Sequence, residues 1–305
     1  MTERNEPNGG NEDSAGSAPV EDEITPEAAF ELVAHETRIA VLQALQAAGG
    51  GPLSFGDIRE RIGLTDPGQC HYHVDKLCDH FVWSTDDGYR LSPAGWQLVG
   101  ALLSGSITAT IDEETVVVGS SCTACGGDLV AHFRQSGVTI ICTDCRFVQT
   151  DPDIPPALVD DWPSSELPEV VSRYTLQMEV DAAHGFCPNC RGRVSRGVVT
   201  PTDVSAPDWF DGETIEALVV TDCHRCGKWW HAAPSVAALA EPAVVALYHD
   251  HGIDLREQPW WALDGLTVGS TTVRKDPLYV HVHIDLGEPK TVVFDEAFEF
   301  VETYE

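Results

Sequence analysis

Eight of the ten cysteines occur as four Cys-x-x-Cys pairs, and this spacing carries the strongest chemical signal in the sequence. The pairs are Cys122/Cys125, Cys142/Cys145, Cys187/Cys190 and Cys223/Cys226. Two thiolates three residues apart on a tight turn can bind one ion, and two such turns complete a tetrahedral site with four sulfur ligands. A redox centre would need only one such pair, and disulfides are rare in cytosolic proteins. The pattern therefore predicts two structural Zn²⁺ ions.

The distances between the pairs indicate two zinc-ribbon-like β modules. Sixteen residues separate the first two pairs, which is the length of a hairpin with strands at Leu129–Arg134 and Val138–Ile141. Thirty-two residues separate the last two pairs, so the second ribbon would carry an insertion around Pro201–Gly212, and Lys228–His231 would complete its hairpin. Pairing the first with the second and the third with the fourth is the simplest arrangement, and interleaved pairing stays open. Four thiolates close the coordination sphere, so these sites would be scaffolds without catalytic activity.

Histidine and tryptophan pairs give weaker signals. His281 and His283 share one face of a predicted strand, and His249 and His251 flank Asp250. No carboxylate or cysteine at ligand spacing joins these pairs, so they are typical of polar surface. Two tryptophan pairs would either line an effector pocket or fill a core, namely Trp229/Trp230 and Trp260/Trp261. The sequence has no Gly-rich phosphate loop, nucleophile elbow or His-Glu-x-x-His motif, so we expect that the protein is not an enzyme.

Helix signals predict a compact module over residues 25–105. Thr25–Pro26 combines a capping hydroxyl with proline at the first helical position. The apolar pattern of Ala28–Ala48 predicts two helices with a break near His35, and Gly49–Gly51 ends the second of them.

Two further helix starts follow within a short distance. Ser54–Asp57 has the spacing of a capping box, and Asp66–Pro67 repeats the cap-plus-proline signature before a helix that reaches about His80. On that last helix, apolar residues at helical spacing predict a buried face: Cys70, Val74, Leu77 and Cys78.

A hairpin and a closing helix complete the module. Phe81–Ser84 and Tyr89–Leu91 read as short strands around a tight turn at Asp86–Gly88. Ser92–Pro93 then begins a helix that extends to about Leu103. Helices followed by a two-stranded wing and a closing helix predict a winged helix-turn-helix.

This module resembles the ArsR-type winged-helix transcriptional regulators, especially the forms found in halophilic archaea. The resemblance covers about a quarter of the chain and rests on linked motifs: His35-Glu36-Thr37-Arg38-Ile39, Phe55-Gly56-Asp57-Ile58-Arg59, Gly68-Gln69-Cys70-His71-Tyr72-His73-Val74-Asp75-Lys76-Leu77 and Gly88-Tyr89-Arg90-Leu91-Ser92-Pro93-Ala94-Gly95. It implies double-stranded DNA as partner and a homodimer paired through terminal helices. Some relatives sense metals through cysteines in the helix before the turn, and this chain has none there.

The predicted recognition helix would present polar side chains to a DNA major groove. With the apolar face buried, the outward residues would be Gln69, His71, Tyr72, His73 and Lys76. Glutamine can contact adenine through two hydrogen bonds, and histidine and lysine can reach a base or a phosphate. Arg90 beside the wing tip and Arg38 are candidate phosphate contacts. The acidic wing tip argues for the alternative, a protein-docking or RNA-binding adaptor without sequence-specific DNA binding.

The fold class predicted for the chain is α+β. We expect a disordered acidic tail at 1–24, the winged helix at 25–105, ribbon 1 at 106–150, a Pro- and Asp-rich linker at 151–168, and ribbon 2 with a C-terminal α+β extension at 169–305. Within the last region, Val170–Val180 reads as a strand and Ser235–Gly252 as a helix pair cut at Pro242. Further strands are predicted at Thr267–Val273, Leu278–Leu286 and Thr291–Phe294. This C-terminal half would provide structure and dock an unidentified effector or protein.

The net charge of −31 is spread along the chain, and only 4 of the 18 basic residues are lysine. Such a surface repels phosphate backbones and anionic membranes at low salt. A uniform distribution indicates adaptation to multimolar salt, where the screening length falls to about 3 Å and DNA is no longer repelled from a distance. The sequence shows no uninterrupted apolar segment long enough to span a membrane and no signal-peptide pattern, so we expect a halophilic cytoplasmic protein.

Overall fold

The computed structural model describes residues 24–207, 209–210, 212 and 214–305, and the side chain of residue 268 is not described. Apart from Ile24, the predicted acidic tail lies outside the described residues. The chain divides into two compact units, Met1–Ala101 and Leu102–Glu305.

The N-terminal unit consists of helices and one antiparallel hairpin. In chain order these are α1 (Pro26–Val33), α2 (Glu36–Gln46), α3 (Phe55–Arg61), α4 (Pro67–Leu77), β1 (Val82–Thr85), β2 (Gly88–Leu91) and α5 (Pro93–Leu103), whose last residues pass the unit boundary. This order is the one that the sequence predicts for residues 25–105.

Local hydrogen bonds explain where the helices begin. The Thr25 side chain accepts from the Ala28 backbone N–H, and the Asp66 carboxylate accepts from the first backbone N–H groups of α4. Ser54 and Asp57 form the reciprocal capping box that the sequence predicts. The break between α1 and α2 falls at His35, whose Nδ1 accepts from the Thr37 N–H and so caps α2.

The core of this unit is formed by the inward faces of its helices and hairpin. Its buried residues include Val41, Leu42, Leu45, Ile58, Cys70, Val74, Leu77, Val82 and Val99. The predicted apolar face of α4 is therefore confirmed, although Cys78, which follows the helix as its C-cap, is only half-buried. A Cβ at Gly95 would overlap the carbonyl oxygen of Phe81, so only glycine lets α5 approach this closely.

The C-terminal unit begins with a four-stranded antiparallel sheet. Its strands lie in the order β3 (Glu114–Ser121), β4 (Asp128–Arg134), β5 (Gly137–Cys142) and β6 (Val148–Thr150). The two strands predicted from the cysteine spacing are confirmed as β4 and β5, and Leu129 lies opposite Cys142. Strands β3 and β6, which were not predicted, extend the hairpin on both sides.

Residues 151–180 differ from the prediction. The expected linker at 151–168 contains α6 (Ala157–Asp160), a 3₁₀ turn (Ser164–Glu166) and the buried Ile154. The strand predicted at Val170–Val180 is wrong, because this segment belongs to α7 (Leu167–Ala183). The buried residues of α7 are Leu167, Pro168, Val170, Val171, Ser172, Glu179 and Ala182, and most of them recur at helical spacing. A short apolar run does not distinguish a strand from a buried helix, and the proline in the first turn was the missed signal.

The second cysteine-rich segment forms a three-stranded antiparallel sheet with strands β7 (Val194–Val199), β8 (Leu218–Cys223) and β9 (Trp229–Ala232). Residues 200–217 join β7 to β8, which is where the insertion is predicted. The break at Pro242 is also confirmed, since α8 (Pro234–Ala237) and a 3₁₀ turn precede it and α9 (Pro242–Asp250) follows it.

A third antiparallel sheet ends the chain, with strands β10 (Thr271–Arg274), β11 (Tyr279–Asp285), β12 (Pro289–Phe294) and β13 (Phe300–Tyr304). The first three correspond to predicted strands, except that residues 268–270 form a 3₁₀ turn. Strand β13 was not predicted. All five of its residues are exposed, so no alternation of buried and exposed positions marks it.

The segments expected as ribbon 1, linker and C-terminal extension share one core. It joins Leu129 and Ile140 of the first sheet to Val171 of α7, Tyr248 of α9 and Val282 of the third sheet. A smaller core surrounds the second cysteine-rich segment with Ala182, Cys187, Val194, Cys223 and Trp230. Among the described residues, no helix combines the length and the apolar character needed to cross a membrane.

Candidate metal centres, nucleic-acid interface and cleft

The first two Cys-x-x-Cys pairs converge on one point. The Sγ atoms of Cys122 and Cys145 lie 3.7 Å apart, and those of Cys125 and Cys142 lie 3.6 Å apart. A tetrahedral ion with metal–sulfur bonds of about 2.3 Å requires sulfur–sulfur separations of about 3.8 Å. These four thiols therefore have the spacing of a four-sulfur metal site.

The last two pairs form a second cluster of the same kind. Cys187 and Cys226 bring their Sγ atoms within 3.8 Å, and Cys190 and Cys223 bring theirs within 3.5 Å. In each cluster the four sulfur atoms lie within 4.8 Å of one another. The pairing is thus first with second and third with fourth, and the interleaved alternative is excluded.

Backbone geometry explains why these turns present two thiols to one point. The residue that follows the second cysteine of each pair has a positive φ, at Gly126, Arg146, Arg191 and Gly227. Glycine adopts this conformation freely, while arginine does so at a cost. The two glycines are a sequence signal for this conformation, whereas arginine at positions 146 and 191 gives no such signal.

The turns stabilise the thiolate form of some of the cluster cysteines: Cys142 in the first cluster and Cys223 and Cys226 in the second. Backbone N–H groups donate to sulfur in both clusters, for example Asp144 N to Cys142 Sγ and Arg225 N to Cys223 Sγ, each at 3.4 Å. The backbone N–H of Cys145 lowers the pKa of Cys142 to about 7, and that of Lys228 lowers the pKa of Cys226 to about 6. In the same clusters the pKa values of Cys122, Cys125, Cys145 and Cys190 are raised, that of Cys190 to about 11. Thiolate is the form of cysteine that binds a metal ion.

The exposed face of α4 carries four of the predicted DNA-contacting residues. The side chains of Gln69, His71, Tyr72 and Lys76 are all exposed, opposite the buried Cys70, Val74 and Leu77. The Lys76 ammonium lies 5.9 Å from the centre of the Tyr72 ring. The structure therefore brings amide, imidazole, phenol and ammonium groups together on one helical face.

The expectation that His73 projects outward is wrong. Its side chain is only 4% exposed, and its ring centre lies 4.3 Å from that of His35. Burial lowers the pKa of His73, and the neighbouring His35 and Arg38 add to this effect. Because α4 packs on α2, His73, which is three residues after the buried Cys70, lies on the inner edge of the helix.

The other two predicted phosphate contacts differ in exposure. Arg90 of β2 is exposed, and its guanidinium lies 5.1 Å from the centre of the Trp83 ring. Arg38 of α2 is half-buried, and its Nε is buried without a hydrogen-bond partner. The turn between β1 and β2 exposes Asp86 and Asp87, so the hairpin tip is acidic.

The histidine pairs do not form metal clusters in the part of the chain that the structure describes. His283 bonds to Thr272 and Thr291 through its two ring nitrogens. Its neighbour His281 bonds to Tyr304 through Nδ1. His251 uses Nδ1 to bond to the carbonyl of Leu247.

The C-terminal unit contains a cleft, and its tryptophans are the lining residues for which the sequence predicted a possible pocket. It has a volume of about 650 Å³ and is lined by residues of β6, α7, β9 and neighbouring loops. Trp229 and Trp230 line it together with Trp209 and Trp260, so one residue of the Trp260/Trp261 pair lines the cleft. Trp260 and Trp261 are both buried in the main core. The interpretation as pocket residues therefore applies to Trp229, Trp230 and Trp260, and the interpretation as core residues applies to Trp260 and Trp261.

A buried acid lies at the wall of this cleft. Glu179 of α7 accepts a hydrogen bond from Trp230 Nε1 at 3.1 Å, and its Oε2 lies 3.6 Å from Arg196 Nη2. Desolvation raises the pKa of Glu179, although Arg196 and Trp230 oppose the shift. Sequence reasoning missed this residue because its segment was taken as a strand.

Comparison with protein families finds two matches. A model described as "Domain of unknown function (DUF7347)" matches residues 26–102, and one described as "Domain of unknown function (DUF7351)" matches residues 119–299. Comparison with curated proteins finds no match. Because the second model covers more than half of the chain, the protein belongs to the family described as Domain of unknown function (DUF7351).

Proposed function

We propose that this protein is a DNA-binding transcriptional regulator whose N-terminal unit is a winged helix of ArsR type. In this proposal α4 enters the DNA major groove and the β1–β2 hairpin is the wing. The observation that carries it is the exposed face of α4, where hydrogen-bonding side chains lie on the outside of a helix anchored by buried Cys70, Val74 and Leu77. Protein-docking faces are centred on apolar anchors instead.

Four exposed residues of α4 have a role in this proposal. Gln69 reads a base, because its amide can contact adenine through two hydrogen bonds. His71 and Lys76 contact a base edge or a phosphate, and Tyr72 contacts the sugar-phosphate backbone. Arg90 on the wing contacts a phosphate. His73 takes no part in this interface, because its ring is buried against His35.

The C-terminal unit holds two structural zinc ions in this proposal. Four thiolates at tetrahedral spacing are a donor set that suits Zn²⁺, and soft sulfur ligands disfavour Mg²⁺ and Ca²⁺. Bound zinc would cross-link each pair of turns as a closed four-sulfur site. The unit then serves as a scaffold to which an effector or a protein partner docks.

A homodimer is part of the proposal. Phe30 on α1 and Trp96 on α5 are large apolar side chains that remain exposed. Exposed residues of this kind favour an interface. Light scattering should give twice the chain mass, and a Phe30→Asp/Trp96→Asp variant should give the chain mass. A wild-type monomer would contradict this part of the proposal.

Gel shifts with genomic DNA fragments in concentrated KCl test DNA binding. We expect the Gln69→Ala/His71→Ala/Lys76→Ala variant to bind at least about tenfold more weakly, because each good base contact contributes about 1–3 kcal/mol. The matched control is Gln43→Ala/Gln97→Ala, which removes exposed amides from α2 and α5 and should leave affinity unchanged. Equal and weak binding by wild type and triple variant would overturn the proposal.

The exposed acids Asp86 and Asp87 favour a second candidate, a zinc-ribbon adaptor that binds protein or RNA. An acidic hairpin tip would face phosphates if the wing approached DNA. Replacement of both acids by asparagine separates the two candidates. A regulator should bind DNA more tightly after the change, while an adaptor should show no DNA binding in either form.

A further inference from the structure

We propose that the cleft of the C-terminal unit binds a small planar aromatic amine. This inference deepens the effector role in the proposed function, and it names the chemical class of the effector. Binding to the cleft can be measured without DNA, so the two proposals can fail separately.

The size and lining of the cleft suit a small organic ligand. Its volume of about 650 Å³ lies within the usual range for such sites, which is about 300–1,000 Å³. Its walls include the apolar side chains of Phe147, Met178, Leu218, Val236 and Leu266. A few polar groups interrupt this surface, as is usual where they fix the orientation of a ligand.

Exposed indole rings point to a flat ligand. Trp209 and Trp229 line the cleft and remain 58% and 52% exposed. The His231 ring lies near both, with centres 4.9 Å from Trp209 and 6.0 Å from Trp229. Indole faces stack on planar rings and attract cations through their quadrupole. Ordinary core filling does not account for these two side chains, because they are not buried.

Glu179 supplies a specific acceptor. Its side chain is nearly fully buried, and Oε2 has no hydrogen-bond partner. Oε1 is already bonded to Trp230, and the nearest guanidinium nitrogen of Arg196 is at ion-pair distance from Oε2. A buried acceptor without a hydrogen bond is costly, and a ligand N–H that reached it would remove this cost.

The charges of the lining select against anions. Asp151, Asp153 and Glu179 line the cleft, and Lys228 is the lining residue of opposite charge among the described residues. Arg134 pairs with Asp151 at 2.9 Å, Glu179 Oε2 lies 3.6 Å from Arg196 without a hydrogen bond, and Asp153 forms no ion pair among the described residues. Acids thus outnumber bases three to one at the lining itself, which favours an amine over a carboxylate of the same shape.

The cysteine clusters position two walls of the cleft. Residues 147–151 begin two positions after Cys145, and residues 228–233 begin two positions after Cys226. Gln149 lines the cleft and donates its amide N–H to Cys122 Sγ at 3.4 Å. The walls are thus tied to the same turns that bring the thiols together.

Isothermal titration calorimetry of the full chain with tryptamine tests the proposal. Tryptamine should bind at least tenfold more tightly than indole-3-acetate, which has the same ring and the opposite charge. Trp229→Ala should weaken tryptamine binding at least tenfold, since the ring is exposed and its removal leaves the core intact. The matched control is Trp162→Ala, an exposed tryptophan of the same unit outside the cleft lining, which should change nothing.

Glu179→Gln completes the test, with the melting temperature of each variant measured beside its affinity. A folded Glu179→Gln variant should lose the preference for tryptamine over indole-3-acetate. Absence of heat with tryptamine at millimolar concentration would overturn the proposal, as would equal affinity in wild type and Trp229→Ala. Equal affinity for the amine and the carboxylate in wild type would overturn the assignment of ligand charge.

Discussion

The indole Nε1 of Trp230 donates a hydrogen bond to Glu179 Oε1 across 3.1 Å, between residues that are 51 positions apart in the chain. Trp230 belongs to β9, which begins three residues after Cys226, and Glu179 belongs to α7. The bond therefore ties the second cysteine cluster to the long helix of the C-terminal unit. Both residues line the cleft, so a change at this contact should alter stability together with the ligand binding that we propose.

Removal of Glu179 should destabilise the protein strongly. Glu179→Ala leaves Arg196 buried without its counter-ion, and breaking a buried pair in this way costs about 3–5 kcal/mol. Glu179→Leu/Arg196→Met should recover much of this loss, because apolar residues of similar volume can replace a buried pair. Denaturant unfolding gives these free energies. The solvent-accessible pair Asp254/Arg256 is the control, and its loss should cost far less, because water screens the attraction between the two charges.

Glu179 should also give a distinctive pH dependence. Its folded pKa is raised above its ordinary value, so the native state binds more protons than the unfolded chain. The stability of the wild type relative to Glu179→Gln should therefore be highest below the ordinary glutamate pKa. The wild type should lose stability relative to the variant as pH rises from there through the raised pKa. If the difference in unfolding free energy between wild type and Glu179→Gln were the same at every pH, the raised pKa of Glu179 would be contradicted.

His73 should give the opposite dependence of stability on pH. Its folded pKa is lowered by burial, so the unfolded chain binds the proton first as pH falls. Stability should be full above the ordinary histidine pKa of about 6.5 and should fall as pH drops through the lowered pKa. His73→Leu should remove this pH dependence, as measured by thermal unfolding between about pH 5 and pH 8. His71→Leu, which changes an exposed ring on the same helix, should retain it.

The number of bound metal ions per chain should equal the number of intact cysteine clusters. Elemental analysis of protein purified without added zinc should give two zinc ions per chain, and Cys145→Ser should give one. Cys78→Ser is the control, because this half-buried thiol belongs to neither cluster, and it should keep both ions. Chelation should unfold the segments around the clusters, since metal binding contributes folding free energy. Iron in place of zinc, or no metal under reducing conditions, would contradict the zinc assignment.

Salt dependence should separate base contacts from phosphate contacts in the proposed DNA interface. Arg90→Ala should reduce the slope of log affinity against log KCl by about 1, because one phosphate contact and its released counterion are lost. Gln69→Ala should lower affinity for preferred sequences and leave the slope unchanged. A slope that is the same in wild type and Arg90→Ala would show that Arg90 contacts no phosphate.

Short-range features could be predicted well. The helix starts at Thr25, Ser54 and Asp66 depend on hydrogen bonds that span three or four residues, so the capping residues alone identify them. The break at Pro242 was predictable for the same reason, because proline lacks the N–H that continues a helix. The Cys-x-x-Cys turns are equally local, and their spacing indicated two hairpins, although the pairing of the four turns stayed open until the structure placed them.

Predictions that required knowledge of remote neighbours were less accurate. Val170–Val180 was taken as a strand because its apolar run fits both a buried strand and a buried helix, and only packing distinguishes them. His73 was placed outside because helical phasing alone leaves its position at the edge of the buried face ambiguous. Strand β13 escaped prediction because its exposed side chains carry no pattern, and its pairing with β12 defines it.

The sequence by itself determined the capping box at Ser54–Asp57, the hairpin turns, the eight thiols in four pairs and the acidic surface. Each of these depends on a residue type or on spacing within a few positions. Tertiary structure alone decided which turns share a cluster, that His73 lies against His35, and that Glu179 meets Trp230 and Arg196 at a cleft. Burial and long-range contacts arise from segments far apart in the chain, and no local pattern encodes which of them come together.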